Sequence, residues 1–425
     1  MRLLLRLSSL CVVAWLMLCG MPAASAADAT SQAILHPAFK SLQVRVNGQQ
    51  ISVPVIVLDS SDRIEIVFDE LADERRYMRY ELIHCDSQWR PDNLVDSEFL
   101  DGFNIADVED YDFSRATLMH YVNYRITLPN SRMRFTASGN YVVRVYPEDD
   151  PDETILRARF SVSEAVMAVD GNVTSRTDID TNASHQQLEL TVDSREWPVD
   201  NLYDDLTVVI TRNGDAQSDV PVTHPLRVQG TKAVYEHLRP LIYNAGNEFR
   251  RFEIVSTRYP GRGVAGIDYV DPLYHFTLAA DEPRSYDRYR YDETQHGRFF
   301  IREYDSADSD TEADYAIVHF SLAMPELKDT DIYVDGDMTG HRLDPSTHMI
   351  YNPATGCYEL SLLLKQGAYN YQYVSRRAGE SAASPSRIEG DFHETSNEYL
   401  VKVFHRPRGA RYDRLLGATV VYARP

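Results

Sequence analysis

The chain is short of cysteine, of lysine and of any long apolar run beyond its first twenty residues. Past an N-terminal leader only Cys85 and Cys357 remain of its four cysteines. They fall in different sequence blocks, so no disulfide framework can carry the fold. A single bridge would need their Cα atoms within about 7 Å. Two buried free thiols is the reading adopted. Only five lysines occur, at Lys40, Lys232, Lys328, Lys365 and Lys402, with no polybasic cluster. Lys and Arg total 43 against 64 Asp and Glu, for a formal charge of −21. Such a balance excludes bulk electrostatic binding to nucleic acid or to an anionic lipid surface. No later stretch is long and apolar enough for a membrane-spanning helix.

Catalytic and metal signatures are missing too. Two distant cysteines and 13 scattered histidines do not give a four-ligand zinc spacing. There is no G-x-S-x-G elbow and no phosphate-cradling glycine loop. The segment Gly-Arg-Gly-Val-Ala-Gly at 261–266 reads as a loop between strands and does not open a helix. With so many carboxylates, no pair can be singled out for glycoside hydrolysis. The chain is therefore expected to be no enzyme, with no metal, no cofactor and no small-molecule substrate. Helical periodicity is absent over any three turns.

What is present begins with an export leader over residues 1–26. Arg2 and Arg6 form its charged start, residues 10–18 its apolar centre, and Ala24-Ser25-Ala26 a small-residue cleavage site. The mature chain then starts at Ala27. A lipobox at Cys19 is disfavoured by the large Leu18 before it. Period-two patterning follows at 42–46, 52–58, 63–68, 77–85, 121–128, 140–146 and 155–162. In the last of these, Leu156, Ala158, Phe160 and Val162 face one way and Arg157, Arg159 and Ser161 the other. Short helical turns are expected at 70–76, 94–100 and 107–113. Seven strands in this block predict an immunoglobulin-like sandwich.

The same patterning recurs at 187–192, 206–211, 233–237, 249–256 and 274–278, and again at 316–322, 332–334, 399–404 and 415–422. The expected fold is all-β: three consecutive immunoglobulin-like or β-sandwich domains after a cleaved signal peptide. Their limits are 27–164 with a long loop at 86–118, 165–281, a connector at 282–298, and 299–425. A rigid rod or a compact clover should result, with 399–404 and 415–422 paired. The acidic stretch 305–314 reads as a solvated tip rather than a calcium loop.

Several residues invite a functional reading. His84-Cys85-Asp86 could suggest a nucleophile and its base. Neighbours in a strand point to opposite faces, however, so a buried Cys beside an exposed His is preferred. The loop that follows combines Trp89, Phe99 and Phe103 with Asp92, Asn93 and Asp96, the mixture of a packed functional loop. The run Tyr286, Arg288, Tyr289, Arg290 and Tyr291 combines residue types favoured at interface hot spots. Both groups are candidate partner contacts. The alternative for the loop is that Trp89, Phe99 and Phe103 fill a core.

The order HCD-x-x-W-x-P-x-N-L-x-x-S-E-F-L-D-G-F across residues 84–103 resembles the N-terminal domain of the type IX secretion system plug family of Bacteroidota. The likeness continues through 111–113, LPNSRMRFTASGNYVVRVY at 128–146 and QHGRFFIREY at 295–304. The resemblance implies a periplasmic protein, peripheral to the inner face of the outer membrane. It would bind the periplasmic mouth of the translocon β-barrel and seal the pore when no substrate is in transit. Residues 331–375 resemble small starch-binding-like sandwich modules. His341 and Tyr358 stand near the places where sugar-stacking tryptophans are expected, which puts a sugar platform in doubt. The competing expectation is an exported glycan-binding protein. Asp305-Ser306-Ala307 resembles an O-glycosylation acceptor of Bacteroidota.

Overall fold

The structure is a computed structural model and describes residues 30–423. The leader at 1–26, its cleavage site and Cys19 lie outside the described residues. The chain is nearly all β, and its strands surround three principal hydrophobic cores.

The first core lies between two sheets. One runs Ala33–Ile34, Leu156–Ser163, Gly139–Pro147, Met78–Cys85, Ala106–Asp107, with Val55–Val57 added in parallel to Leu156–Ser163. The other runs Phe39–Val46, Ile64–Glu70, Val122–Leu128, Asp110–Phe113. Alternation explains the packing: Leu156, Ala158, Phe160 and Val162 are fully buried on one face of their strand. A short helix, Asp96–Phe99, drops Phe99 into this core. Gly102 follows at φ +129°, where an added Cβ would meet the Arg132 carbonyl oxygen at 1.8 Å, so only glycine fits. The helical turn expected at 107–113 is instead two edge strands, Ala106–Asp107 and Asp110–Phe113. Their partners supply backbone bonds that local propensity cannot anticipate. No helix forms at 70–76.

The other two cores do not follow one another along the chain. Residues from Met167 to Tyr243 build one, and Tyr399, Val401, Val403, Leu416 and Val421 complete it. Between them the chain leaves to build the third core, from Phe252 to Ile388. Strand Leu206–Arg212 therefore pairs with Glu398–His405, which in turn pairs with Arg414–Tyr422. Arg250–Glu253 pairs with Gly367–Arg377, and Leu273–Leu278 with Tyr315–Ala323. The expected limits 165–281 and 299–425 thus cut across hydrogen-bonded sheets. The pairing of the last two strands holds, but it lies in the second core. Gly261–Gly266 is only partly loop, since Val264–Val270 is a strand.

The three units are joined pairwise by buried polar contacts. Between first and third, Lys365 Nζ lies 2.6 Å from Asp69 Oδ2, and Arg45 Nη1 lies 2.7 Å from Asp310 Oδ2. Tyr315 donates to the same Asp69 oxygen at 2.7 Å. The stretch 305–314 is therefore no solvated tip. Its helix Ser309–Glu312 carries Asp310 against Arg45 and Arg125, and Ala313 accepts a bond from Tyr121. Ser306 donates to Glu312. Between second and third, Arg298 and Glu398 pair at 2.5 Å, both buried. Between first and second, Lys402 Nζ donates to Asn140 Oδ1 at 3.3 Å, both buried, and Glu164 pairs with the half-buried Arg414 at 2.6 Å. A compact clover describes the arrangement; a rod does not.

Candidate functional site

The loop after strand Met78–Cys85 is built by its own polar residues. Asp86 accepts from the backbone N–H of Gln88 and Arg90 and from the Arg90 guanidinium. This closes a tight turn in which Trp89 takes φ +61°, a conformation unusual for a bulky residue. The turn aims the indole inward. Trp89 is 7% exposed, packs with Cys85 and Val142, and donates from Nε1 to Asp219 Oδ2 of the second unit at 2.9 Å. Arg159 and Lys402 lie over its ring, at 4.5 and 4.7 Å from the ring centroid. Ser87 N–H donates to Asp413 at 2.8 Å, and Arg411 reaches Asn93 O at 2.7 Å and the Glu98 carboxylate.

His84 is buried, not exposed as expected. Its Nδ1 meets the Asp92 carboxylate and its Nε2 lies 3.1 Å from Ser138 O. Asp92 also accepts from Leu94 N–H, tying strand to loop. Cys85 is buried and free, and burial pushes its thiol up to about 12, so it is no nucleophile. Cys357 is free and only half-buried. The run His-Cys-Asp-x-x-Trp therefore clamps the first unit to the second. Sequence reasoning missed this because the partners Asp219, Lys402, Arg411 and Asp413 are remote in the chain.

The candidate contacts divide accordingly. Trp89, Asp92, Phe99 and Tyr289 are engaged within the protein. Phe99 packs on Tyr141 and His84, while Tyr289 donates to Glu248 at 2.7 Å and lies against Phe392. Trp89 and Phe99 are buried, and Asp92 and Tyr289 half-buried. Asn93, Asp96, Phe103, Tyr286, Arg288, Arg290 and Tyr291 remain at the surface. Phe103 is 82% exposed and Tyr286 fully so.

Phe103 heads a strap, residues 101–113, that sequence reasoning read only in part. Asn104 bonds Leu82 N–H and C=O, both at 2.9 Å, as a strand would. Ala106–Asp107 then pairs with Tyr80 and Arg79, and the strap crosses to the second sheet as Asp110–Phe113. Ala106 and Val108 point inward; Ile105 and Phe113 are about half exposed. Arg75 lies over Tyr77 and Tyr111, and Tyr111 meets Phe113 edge-on. On the third unit Tyr358 is buried, and His341 sits between Asp335 and Asp337 at 2.9 and 3.0 Å. Neither forms a sugar-stacking platform. Among the described residues no cluster of His, Cys, Asp and Glu could hold a metal ion.

The fold and the loop together define an all-β protein of three joined units, with its distinctive polar residues spent on joining them and its aromatic strap left at the surface. Residues 39–164 match the family model described as type 9 secretion system plug protein 1st domain. A crystal structure of a hypothetical protein from Parabacteroides merdae ATCC 43184 is 40% identical, with a TM-score of 0.90. The likeness covers 92% of this chain and 99% of that one. The chain belongs to the type 9 secretion system plug protein family. Among curated proteins there is no match. A DNA glycosylase from Pseudomonas fluorescens overlaps 29% of the chain at 12% identity and a TM-score of 0.16, which supports no comparison. Among the described residues no helix is long and apolar enough to cross a membrane.

Proposed function

We propose that the protein is a non-enzymatic periplasmic plug. It docks at the periplasmic mouth of the type IX translocon β-barrel and seals the pore when no substrate is in transit. The observation that carries this reading is the pairwise joining of three units, by buried ion pairs from the third unit to each of the others and by the Trp89 clamp between first and second. A very large barrel encloses a water-filled lumen. A closure must then hold its shape across the opening, and single hinges between units would let it deform. Buried charge pairs between units resist such motion, because separating them exposes or strands a charge.

The test is co-purification followed by conductance. A C-terminally tagged protein is drawn from envelopes in mild detergent, and the purified barrel is reconstituted in a planar bilayer. The expected result is a barrel in near-equal amount, with a conductance that falls when the protein is added on the periplasmic side. A protein that elutes alone, or that leaves the conductance unchanged, overturns the reading.

A further inference from the structure

Strand Asp110–Phe113 pairs with Val122–Leu128 on one side only. Its outer N–H and C=O groups have no backbone partner among the described residues. Such an edge is a template for another strand, and proteins usually blunt it with lysine, proline or a bulge. The strap at 101–113 contains none of these residues and no arginine. It carries Asp101, Asp107, Glu109, Asp110 and Asp112, of which the first four pair with Arg134, Arg79, Arg132 and Arg125. Beside them stand Phe103, Ile105 and Phe113, with Phe113 held in place by the Arg75–Tyr111 stack. Arg79 bridges Asp107 to Glu148, which brings the acidic hairpin tip at 148–153 alongside. Asp112 makes no ion pair among the described residues.

We propose that this edge takes up an extended, lysine- and arginine-rich segment of a partner protein as an added β-strand. Main-chain bonds to Asp110–Phe113 would supply pairing, with Phe113 at that edge and Phe103 and Ile105 further back along the strap, where it lies on the first sheet. The charge selects the occupant. A second copy of this chain, at −21, is repelled, and so is any acidic strand. A basic segment meets the carboxylates that no arginine engages among the described residues, Asp112 and the exposed Asp149, Asp150 and Asp152 of the hairpin tip. Among the other edge strands, Arg227–Gln229 has no acidic residue and Val264–Val270 has only Asp268 as a charge. The inference rests on the plug reading only for the identity of the partner, which would be a translocon component.

The experiment places a photo-crosslinking phenylalanine analogue at Phe103, Ile105 or Phe113 in the full-length protein in its native envelope. Tyr269 and Tyr286 serve as controls on other surfaces. Crosslinked peptides are read by mass spectrometry, and the crosslinking is repeated in an Asp112→Lys background whose Tm is measured separately. The expected result is crosslinking from the three strap positions to a Lys/Arg-rich peptide, falling about tenfold with Asp112→Lys at unchanged Tm. Crosslinks from Tyr269 or Tyr286 alone, a neutral or acidic crosslinked peptide, or no crosslink at any position overturns the proposal. If Asp112→Lys misfolds, the strap-versus-control pattern in the wild-type background decides. Crosslinks to the barrel from the controls alone would sink the strap and leave the plug reading standing. Strap crosslinks to a basic segment of another envelope protein would do the reverse.

Discussion

Replacing Asp69 with Asn should weaken the joint between the first and third units. Asp69 Oδ2 accepts from Lys365 Nζ and Tyr315 OH, and Oδ1 accepts from Asn123 at 2.7 Å. Both members of the pair are almost wholly buried. The Asn side chain keeps the shape and removes the charge, which leaves the Lys365 ammonium uncompensated. Breaking a buried pair in this way costs about 3–5 kcal/mol. At about 2.1 cal/mol/K per residue, roughly 400 residues unfolding together give ~0.8 kcal/mol/K, so Tm falls by about 4–6 °C. Burial already holds the Lys365 pKa below 10.5, against the pull of Asp69. Without Asp69 it drops further. In the window between that lowered value and 10.5 the unfolded chain binds more protons than the folded one, so the variant's stability rises with pH. The gap to wild type, measured by calorimetry, should therefore be widest near pH 7 and narrow toward pH 10. Adding Lys365→Met should recover most of the loss. A single variant within about 1 °C of wild type, or a double variant worse than the single, would refute the reasoning.

Cys357 should react with a thiol reagent at pH 8 in the native protein, while Cys85 reacts only in denaturant; equal rates would contradict the burial that pushes Cys85 up to about 12. His341 is buried, which opposes its charge, yet Asp335, Asp215 and Asp337 hold its pKa well above 6.5. The stabilisation it brings is complete below pH 6.5 and is lost as pH rises through the raised value. His341→Gln should therefore lower Tm at pH 6 by more than at pH 10, and a pH-independent difference would argue against a charged ring.

Strand positions were largely legible because inward and outward residues alternate, as Leu156 to Val162 do, and the core then accepts one face. The nesting of the third unit was not. Strand Glu398–His405 has the same local pattern whether it pairs with the strand before it or with Leu206–Arg212, and nothing within it names the partner. The candidate loop was half legible. Its aromatic and acidic composition marked it as special, but Trp89 faces inward because a carboxylate 130 residues further along the chain, Asp219, and two cations select that direction. Phe103, only fourteen positions on, lies exposed just past Gly102, whose positive φ lets the backbone press against the Arg132 carbonyl and Phe103 N–H bond to it. Acidic residues at 305–314 looked solvated because their counter-charges, Arg45, Arg115 and Arg125, belong to the first unit.

The nested topology bears directly on rigidity. A unit hung on one connector can swivel about it, whereas the third unit leaves the second core after Ile242–Asn244 and returns at Glu398–His405. Both crossings meet at one buried junction. Glu398 N–H donates to Asn213 at 2.8 Å, Asn397 donates to Ala245 O at 2.7 Å, and Glu248 accepts from both Ser396 and Tyr289. Arg298 locks Glu398 from the third unit's side. Rotation there would break several bonds at once and strand buried charges, each a loss of several kcal/mol. The far end of the third unit is held as well, through Asp69 and Lys365, while Trp89 ties the first unit to the second. Each joint therefore closes a ring of three. Opening any one of them strains the other two, so a force on the strap reaches the whole body rather than a single hinge.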